Sequence, residues 1–506
     1  MKGHILIAVL AALGCFSLRA AVPNTEAQKL ISRVDREEPL RSGEWGILAV
    51  RMDGDTVACC NHLRKMVPAS NVKLLTTGVA LRTLGPDFRF ETSLGYTGEI
   101  CDSTLVGDLY IIGGGDPTTG SKSDCAEPLP SLFARWTKIL SSAGISRIRG
   151  RIIGDPRYFN CPPENSGWTF DDLGTNYGVG PTGLNFYENA QRFYVTPGAA
   201  VGSRPFVMPR YPDTPWMIYT NLASTGAPRS SNDMYYVNTT FGPYGEFRGH
   251  FPIDRKGYTL ECSNRFGAYT CAYYFFHWLS GHGIEVSGGY GDIAPQGHIR
   301  TDLLFGGTGS NAPKSADIHV IGSTESPKLS DIARDTNCES DNFYAETLLH
   351  ILGRRSGGSS EYDSCLVVMS DALAKMGLKP GVGYRQFDGS GLSRKNYVSP
   401  DFFVRFLRAM RSGTAAEAFK ASLPVPGRKG TLEYRLRTSP DELKGRIHMK
   451  SGSMNGVVCF SGYITASDGQ PEHTVAFSVM TNNSTGSSWT VYSLVDEIIA
   501  ALAAEN

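Results

Sequence analysis

The chain has 506 residues, too many for one simple domain, so two or three domains are expected. Its 49 Lys plus Arg equal its 49 Asp plus Glu, so no net field draws it onto nucleic acid, and no nucleic-acid partner is expected. Hydrophobic residues at 41% and charged residues at 19% are an ordinary globular balance, and 57 glycines favour many turns and strand ends over a helical bundle.

The first segment reads as an export signal. Lys2 precedes an apolar stretch from Ile5 to Leu18, followed by the small residues Ala20 and Ala21. The stretch is too short to span a membrane and suits a signal peptide, residues 1–20, cleaved near Ala20. Cys15 offers the alternative of a lipid anchor, although Ala12 stands where a larger aliphatic residue is usual. No later apolar run is long enough for a span. The mature protein is expected to be exported, soluble and periplasmic, with peripheral membrane association as the alternative.

Loss of the signal leaves ten cysteines, and an oxidising compartment permits disulfides. Cys101 with Cys125, and Cys262 with Cys271, are candidate pairs; free thiols are the alternative reading. No Cys-x-x-Cys and no His-Glu-x-x-His occurs, so no metal is expected.

Trp45–Met52 and Thr56–Cys59 flank the turn Asp53-Gly54-Asp55 and predict a strand pair. Asn71 to Leu84 carries apolar residues at helical spacing, with Pro86 marking the end. From about 90 to 310 the texture changes. Short strand-like runs such as Gly107–Ile112 and Ile148–Pro156 alternate with turns, and Leu132–Ser142 is one helix among them. This stretch reads as inserted, mainly β material. From about 315 helices are predicted at Phe343–Gly353, Ser364–Met376, Pro400–Arg411 and Ser488–Ala504. Strands are predicted at Ile447–Lys450, Gly456–Thr465 and His473–Met480.

Three short motifs occur in order. They are Ser70-Asn71-Val72-Lys73, Ser340-Asp341-Asn342 and Lys450-Ser451-Gly452, a trio associated with serine β-lactamases and penicillin-binding proteins. A serine at a helix start and a lysine three residues on share one helix face. The helix N-terminus favours developing negative charge. A serine hydroxyl needs a neighbouring base, and Lys73 can serve only if burial and another cation, for which Lys450 is the candidate, lower its pKa. Ser340 is expected to relay a proton to the leaving amine. Asn342 is expected to hold Lys73 and a substrate amide. The strand of Lys450, Ser451 and Gly452 offers a peptide docking edge, with Lys450 and Ser451 binding a terminal carboxylate. The N–H groups of Ser70 and Ser453 are assigned to an oxyanion hole.

Singly each motif has a bland reading. Ser-x-x-Lys arises by chance as a helix cap followed by a solvated lysine, and Ser230-Ser231-Asn232 and Ser453-Met454-Asn455 also match Ser-x-Asn. Ser340 is preferred because an apolar helical run follows at once. Together and in order, the motifs favour the functional reading. Gly178-Val-Gly180-Pro-Thr-Gly183 lacks a preceding apolar strand and contains Pro181, so it reads as a loop rather than a dinucleotide site. Gly113-Gly-Gly-Asp-Pro117 reads as a tight turn.

Further residues extend the pattern: Leu84-Gly-Pro-Asp-Phe-Arg-Phe90, Gly107-Asp-Leu-Tyr with Gly115-Asp-Pro117, Gly167-Trp168 with Asp171-Asp172, Asp388-Gly-Ser-Gly-Leu-Ser-Arg394, Leu423-Pro with Gly430-Thr-Leu432, and Ser461-Gly-Tyr463. On these the chain resembles the D-alanyl-D-alanine carboxypeptidase/endopeptidase family, the class C low-molecular-mass penicillin-binding proteins. The resemblance spans nearly all of the mature chain, loosely over 195–260. It implies an α/β (α+β) fold: a serine β-lactamase/penicillin-binding transpeptidase-like domain, residues 22–90 and 312–506, interrupted by two extra domains. One extra domain covers 91–190 and 284–311, and a second, 191–283, is nested in it. It also implies acyl-enzyme formation at Ser70, no cofactor, peptidoglycan stem peptides ending in D-Ala-D-Ala or D-Ala cross-links as substrates, and β-lactams as inhibitors. The family usually has Thr where this chain has Ser451; the hydroxyl is retained, so activity is expected. A β-lactamase and a catalytically dead peptidoglycan-binding module are the competing readings. An α/β-hydrolase is disfavoured because no Gly-x-Ser-x-Gly occurs. The insertion is expected to act as a wall or docking surface for polymeric substrate, with a passive appendage as the alternative.

Overall fold

The computed structural model describes residues 23–293, 313–379, 381–484 and 487–506. The expected signal peptide and Cys15 lie outside the described residues. No helix among the described residues is long and apolar enough to cross a membrane.

Two distant parts of the chain build one antiparallel sheet. Its strands run in the order Thr56–Cys60, Glu44–Arg51, Val475–Asn482, Val457–Ile464 and Ile447–Met454. Alternation sends neighbouring side chains to opposite faces. Ile47 and Ala49 join one apolar layer with Phe460, Val479 and the helices Glu26–Val34 and Ser488–Ala504. Leu48 and Val50 join the other, with helices Val72–Leu84, Asn342–Gly357 and Pro400–Met410. Both faces are covered, which is why strands Val457–Ile464 and Val475–Asn482 are buried throughout, their polar residues Ser461, Ser478, Thr481 and Asn482 included.

The predicted elements are present with small shifts at their ends. The helix expected at 343–353 starts one residue earlier and runs to Gly357. The strand expected at 447–450 continues to Met454, because its pairing with Val457–Ile464 extends through Met454↔Val457. Helices Leu329–Cys338 and Gly267–Gly281 were not anticipated. The second reads Gly-Ala-Tyr-Thr-Cys-Ala-Tyr-Tyr-Phe-Phe-His-Trp-Leu-Ser-Gly, rich in aromatics with strand propensity and without a charged face to reveal its period.

Between the nucleophile helix and the second motif the chain forms further sheets. Glu91–Tyr96, Leu109–Ile112, Ile152–Asp155 and Tyr290–Asp292 share a five-stranded sheet completed by His319–Glu325. That last strand lies beyond residue 312, where the sequence pattern turned back toward the catalytic segment. Ala190–Thr196, Phe206–Tyr211 and Tyr258–Ser263 make a separate three-stranded sheet around Phe193, Tyr236 and Phe247.

All ten described cysteines are free. Cys262 packs in the cluster around Phe193, whereas Cys271 packs on the other side with Phe275 and Trp136. Cys101 is exposed at a strand end, whereas Cys125 lies against the catalytic core. The two candidate disulfides are therefore replaced by thiols in separate environments.

Candidate active site

Ser70 lies in a 3-10 turn, Ala69–Asn71, that leads into helix Val72–Leu84. Every residue from Val72 to Leu81 is buried, so this helix runs through the core and its first turn cannot drift. Three features hold the turn. Asn71 Nδ2 donates to Ser461 Oγ on the sheet at 2.8 Å. A Cβ on Gly452 would lie 2.7 Å from Pro68 O and 3.1 Å from Ser70 N. Gly391 has φ +89°, and a Cβ there would lie 2.0 Å from Ala69 O. Only glycine lets both backbones approach the turn this closely.

Lys73 projects from the next turn of the same face. Its Nζ contacts Ser70 Oγ at 3.0 Å, Asn342 Oδ1 at 2.6 Å and Ser390 O at 2.8 Å. Burial pushes its pKa down to about 8, opposed by Asp341, Asp388 and Glu346. Lys450, also fully buried, donates to Ser340 Oγ at 2.9 Å and to Ser451 O at 2.6 Å. Burial first, and then repulsion from Lys73, hold Lys450 well below the usual lysine range. The sequence reading expects burial and a second cation, Lys450, to lower Lys73; burial is the leading cause for both lysines, the two repel one another, and three carboxylates near Lys73 oppose its shift.

Ser340 adopts φ +58°, directly before the helix Asn342–Gly357 that Asp341 caps by accepting from Tyr344 N at 2.8 Å. This bend delivers Ser340 and Asn342 to the same place as Ser70 and Lys73. Ser70, Ser340, Asn342, Ser451 and Ser453 line one cleft of about 740 Å³. The strand of Lys450 to Ser453 is the edge of its sheet, with a free side for an extended peptide. The three motifs thus converge, and each predicted residue lies in the cleft wall or directly behind it.

Several contributors were missed. Glu346, fully buried, accepts from Gly389 N at 3.0 Å and Ser390 N at 2.8 Å. Asp388 accepts from Gly391 N at 2.8 Å, Ser393 N at 2.6 Å, Asn396 Nδ2 at 2.8 Å and Trp168 Nε1 at 3.0 Å. Both carboxyls are raised in pKa chiefly by burial, Glu346 to about 8. Together they fix the loop whose Ser390 carbonyl meets Lys73. The stretch from Asp388 entered the sequence pattern, but its role did not. Tyr177, from the insertion, accepts from Asn342 Nδ2 through its backbone carbonyl at 2.9 Å, and Asp171 and Asp172 line the same cleft. The Gly178–Gly183 repeat is a loop as expected; Gly180 and Gly183 allow close approach to Pro163 O and Pro156 O.

A core sheet between helical layers, a serine poised on a buried lysine and a free strand edge define the serine β-lactamase/penicillin-binding class of acyl-transfer proteins. The fold agrees: penicillin binding protein 4 of Haemophilus influenzae superposes with a TM-score of 0.76 at 21% identity, over 94% of this chain and 98% of that one. The chain belongs to the D-Ala-D-Ala carboxypeptidase 3 (S13) family, whose model matches residues 27–502, and is thereby a serine peptidase. Among curated relatives, it is 28% identical to the D-alanyl-D-alanine carboxypeptidase of Actinomadura sp. (strain R39), over 91% of this chain and 82% of that protein. It is 24% identical to D-alanyl-D-alanine carboxypeptidase DacB of H. influenzae over 93% of each.

Proposed function

We propose that the protein cleaves D-alanyl-D-alanine peptides of peptidoglycan through an acyl-enzyme at Ser70, and that β-lactams trap it at that residue. The observation that carries this reading is the 3.0 Å contact between Ser70 Oγ and the buried Lys73 Nζ. Lys73 Nζ takes the hydroxyl proton as Ser70 Oγ attacks the carbonyl carbon of the penultimate D-Ala. The N–H groups of Ser70 and Ser453 receive the oxyanion. Ser340, bonded to Lys450, passes a proton to the departing amine as the C–N bond breaks. Water then attacks the ester and regenerates the serine. Ser451 and Lys450 hold the terminal carboxylate from the strand edge. Carboxypeptidase and endopeptidase activity share this acyl-enzyme and differ only in the leaving amine.

On this reading the protein works in the periplasm after removal of residues 1–20. We infer a catalytic domain from 22–90 and 312–506, apart from the strand His319–Glu325, which pairs with the inserted sheet; a first insertion from 91–190 and 284–311; and a nested one from 191–283, whose helix Gly267–Gly281 packs on the first. Sequencing the N-terminus of protein from its native cell tests the processing: an intact Met1 contradicts it. Incubating the purified enzyme with a peptide ending in D-Ala-D-Ala and with sacculi, and weighing the products, tests the chemistry. Release of free D-alanine or resolved cross-links is expected. Products cut elsewhere, or none from an enzyme that hydrolyses penicillin rapidly, would favour a β-lactamase instead.

A further inference from the structure

Residues 172–178, which bring Tyr177 to the catalytic machinery, are pinned from outside it. Arg265, fully buried at the end of strand Tyr258–Ser263, donates through Nη2 to Leu173 O and to Gly178 O, the latter at 3.0 Å. Ser263 adds Oγ to Leu173 O at 3.0 Å and N to Gly174 O at 3.0 Å. A Cβ on Gly174 would lie 1.5 Å from Tyr236 O, so the loop rests directly on the strand Tyr235–Asn238.

At the loop's other end the Tyr177 carbonyl accepts from Asn342 Nδ2 at 2.9 Å, while Asn342 Oδ1 accepts from Lys73 Nζ at 2.6 Å. A flipped amide would set its NH2 against the Lys73 donor and its oxygen against the Tyr177 carbonyl, so the Tyr177 carbonyl fixes which end of Asn342 faces Lys73. A guanidinium this deeply buried is unfavourable unless its bonds are needed. Arg265 Nε and Nη1 lack hydrogen-bond partners, and the Glu164 carboxylate is 3.9 Å from Nε. What the group achieves is the bridge between the two ends of the loop.

We propose that Arg265 is a positioning residue for acylation: it clamps residues 172–178 so that the Tyr177 carbonyl orients Asn342 toward Lys73. This rests on the reading of Ser70 and Lys73 as nucleophile and base. It also assigns the nested sheet a part in building the site, beyond that of a wall or a docking surface.

A clamp and a mere staple differ in pH behaviour. By accepting a hydrogen bond from Lys73, Asn342 favours the charged lysine. Loosening the amide therefore lowers the lysine's pKa. The rising limb of acylation rate against pH moves to lower pH while the plateau falls. A staple alters only the folded fraction and leaves the rate per labelled site unchanged at every pH.

The test is stopped-flow acylation of the full-length protein by a chromogenic β-lactam across pH, normalised to sites labelled at end point. Arg265→Met, Arg265→Lys, Ser263→Ala and a nested-core control, Phe251→Leu, are compared with the parent. Arg265→Met is expected to acylate about tenfold or more slowly per labelled site, since small misplacements of reacting groups are expensive. Its limb should move to lower pH, Arg265→Lys should recover part of the rate, and Asn342→Ala should add little to it. Phe251→Leu should leave rate and limb unchanged. An unchanged rate and limb in Arg265→Met overturns the proposal. So does the same result in Ser263→Ala and Arg265→Lys if Arg265→Met does not fold, or full multiplication of the Arg265 and Asn342 effects. A parent adduct on a residue other than Ser70 would instead sink the underlying assignment.

Discussion

The nucleophile turn and the loop at 172–178 meet at Asn342, yet they are built from different material. Ser70 and Lys73 are held by side chains that fall within the motifs, Asn71 and Asn342. The inserted loop reaches the site through a backbone carbonyl and is fastened by backbone carbonyls. Side-chain chemistry leaves a trace in sequence, whereas a main-chain oxygen can be supplied by any residue type. The same centre therefore has a half that invites motif reading and a half that does not.

The comparison breaks most sharply at the base. Lys73→Arg keeps the charge and cannot serve as a base near neutral pH, so acylation should fall roughly a hundredfold or more. In the parent enzyme the rate should rise with pH toward about 8, because burial lowers the Lys73 pKa and only the neutral amine accepts the serine proton. Near-normal acylation by Lys73→Arg, measured by stopped flow, would move the base role elsewhere.

Glycines give the next contrast. Gly452→Ala drives a methyl into backbone at Pro68, Ser70 and Asn71, where nothing flexible can yield. A loss of about 1–3 kcal/mol in urea melts is expected, with slowed acylation. Gly281 ends the inserted helix Gly267–Gly281 and a Cβ there meets nothing within 4 Å. Gly281→Ala should leave acylation unchanged and stabilise by at most about 1 kcal/mol. Equal effects at the two positions would erase the distinction between a turn under tight constraint and an inserted helix end.

Trp168→Phe sharpens the account at a seam, removing the indole bond to Asp388 while keeping the ring. About 1.5 kcal/mol of stability should go, the lower end for a bond to a carboxyl. A small slowing of acylation should follow through the Ser390 carbonyl. No change in either measure would mean that the inserted segment does not support that loop.

Much of the catalytic half was legible. The Asn71–Leu84 pattern, the strands near 447 and 457 and the closing helix Ser488–Ala504 follow from periodicity and were found with small end shifts. The three motifs brought Ser70, Lys73, Ser340, Asn342, Lys450, Ser451, Gly452 and Ser453 into one place. What stayed hidden has physical causes. Glu346 is one more glutamate on a helix until the fold brings Gly389 and Ser390 against it. Helix Gly267–Gly281 hides its period because aromatics cover much of its surface. Arg265 looks like any surface arginine, since nothing local announces that it is buried.

The central claim is that Ser70, activated by Lys73, carries the acyl group. Its most direct test is mass spectrometry of the protein after exposure to benzylpenicillin, with proteolysis to locate the adduct. One penicilloyl group per chain, on the peptide containing Ser70 and absent in Ser70→Ala, is the expected result. An adduct that persists in a folded Ser70→Ala protein, or that maps to another residue, would contradict it.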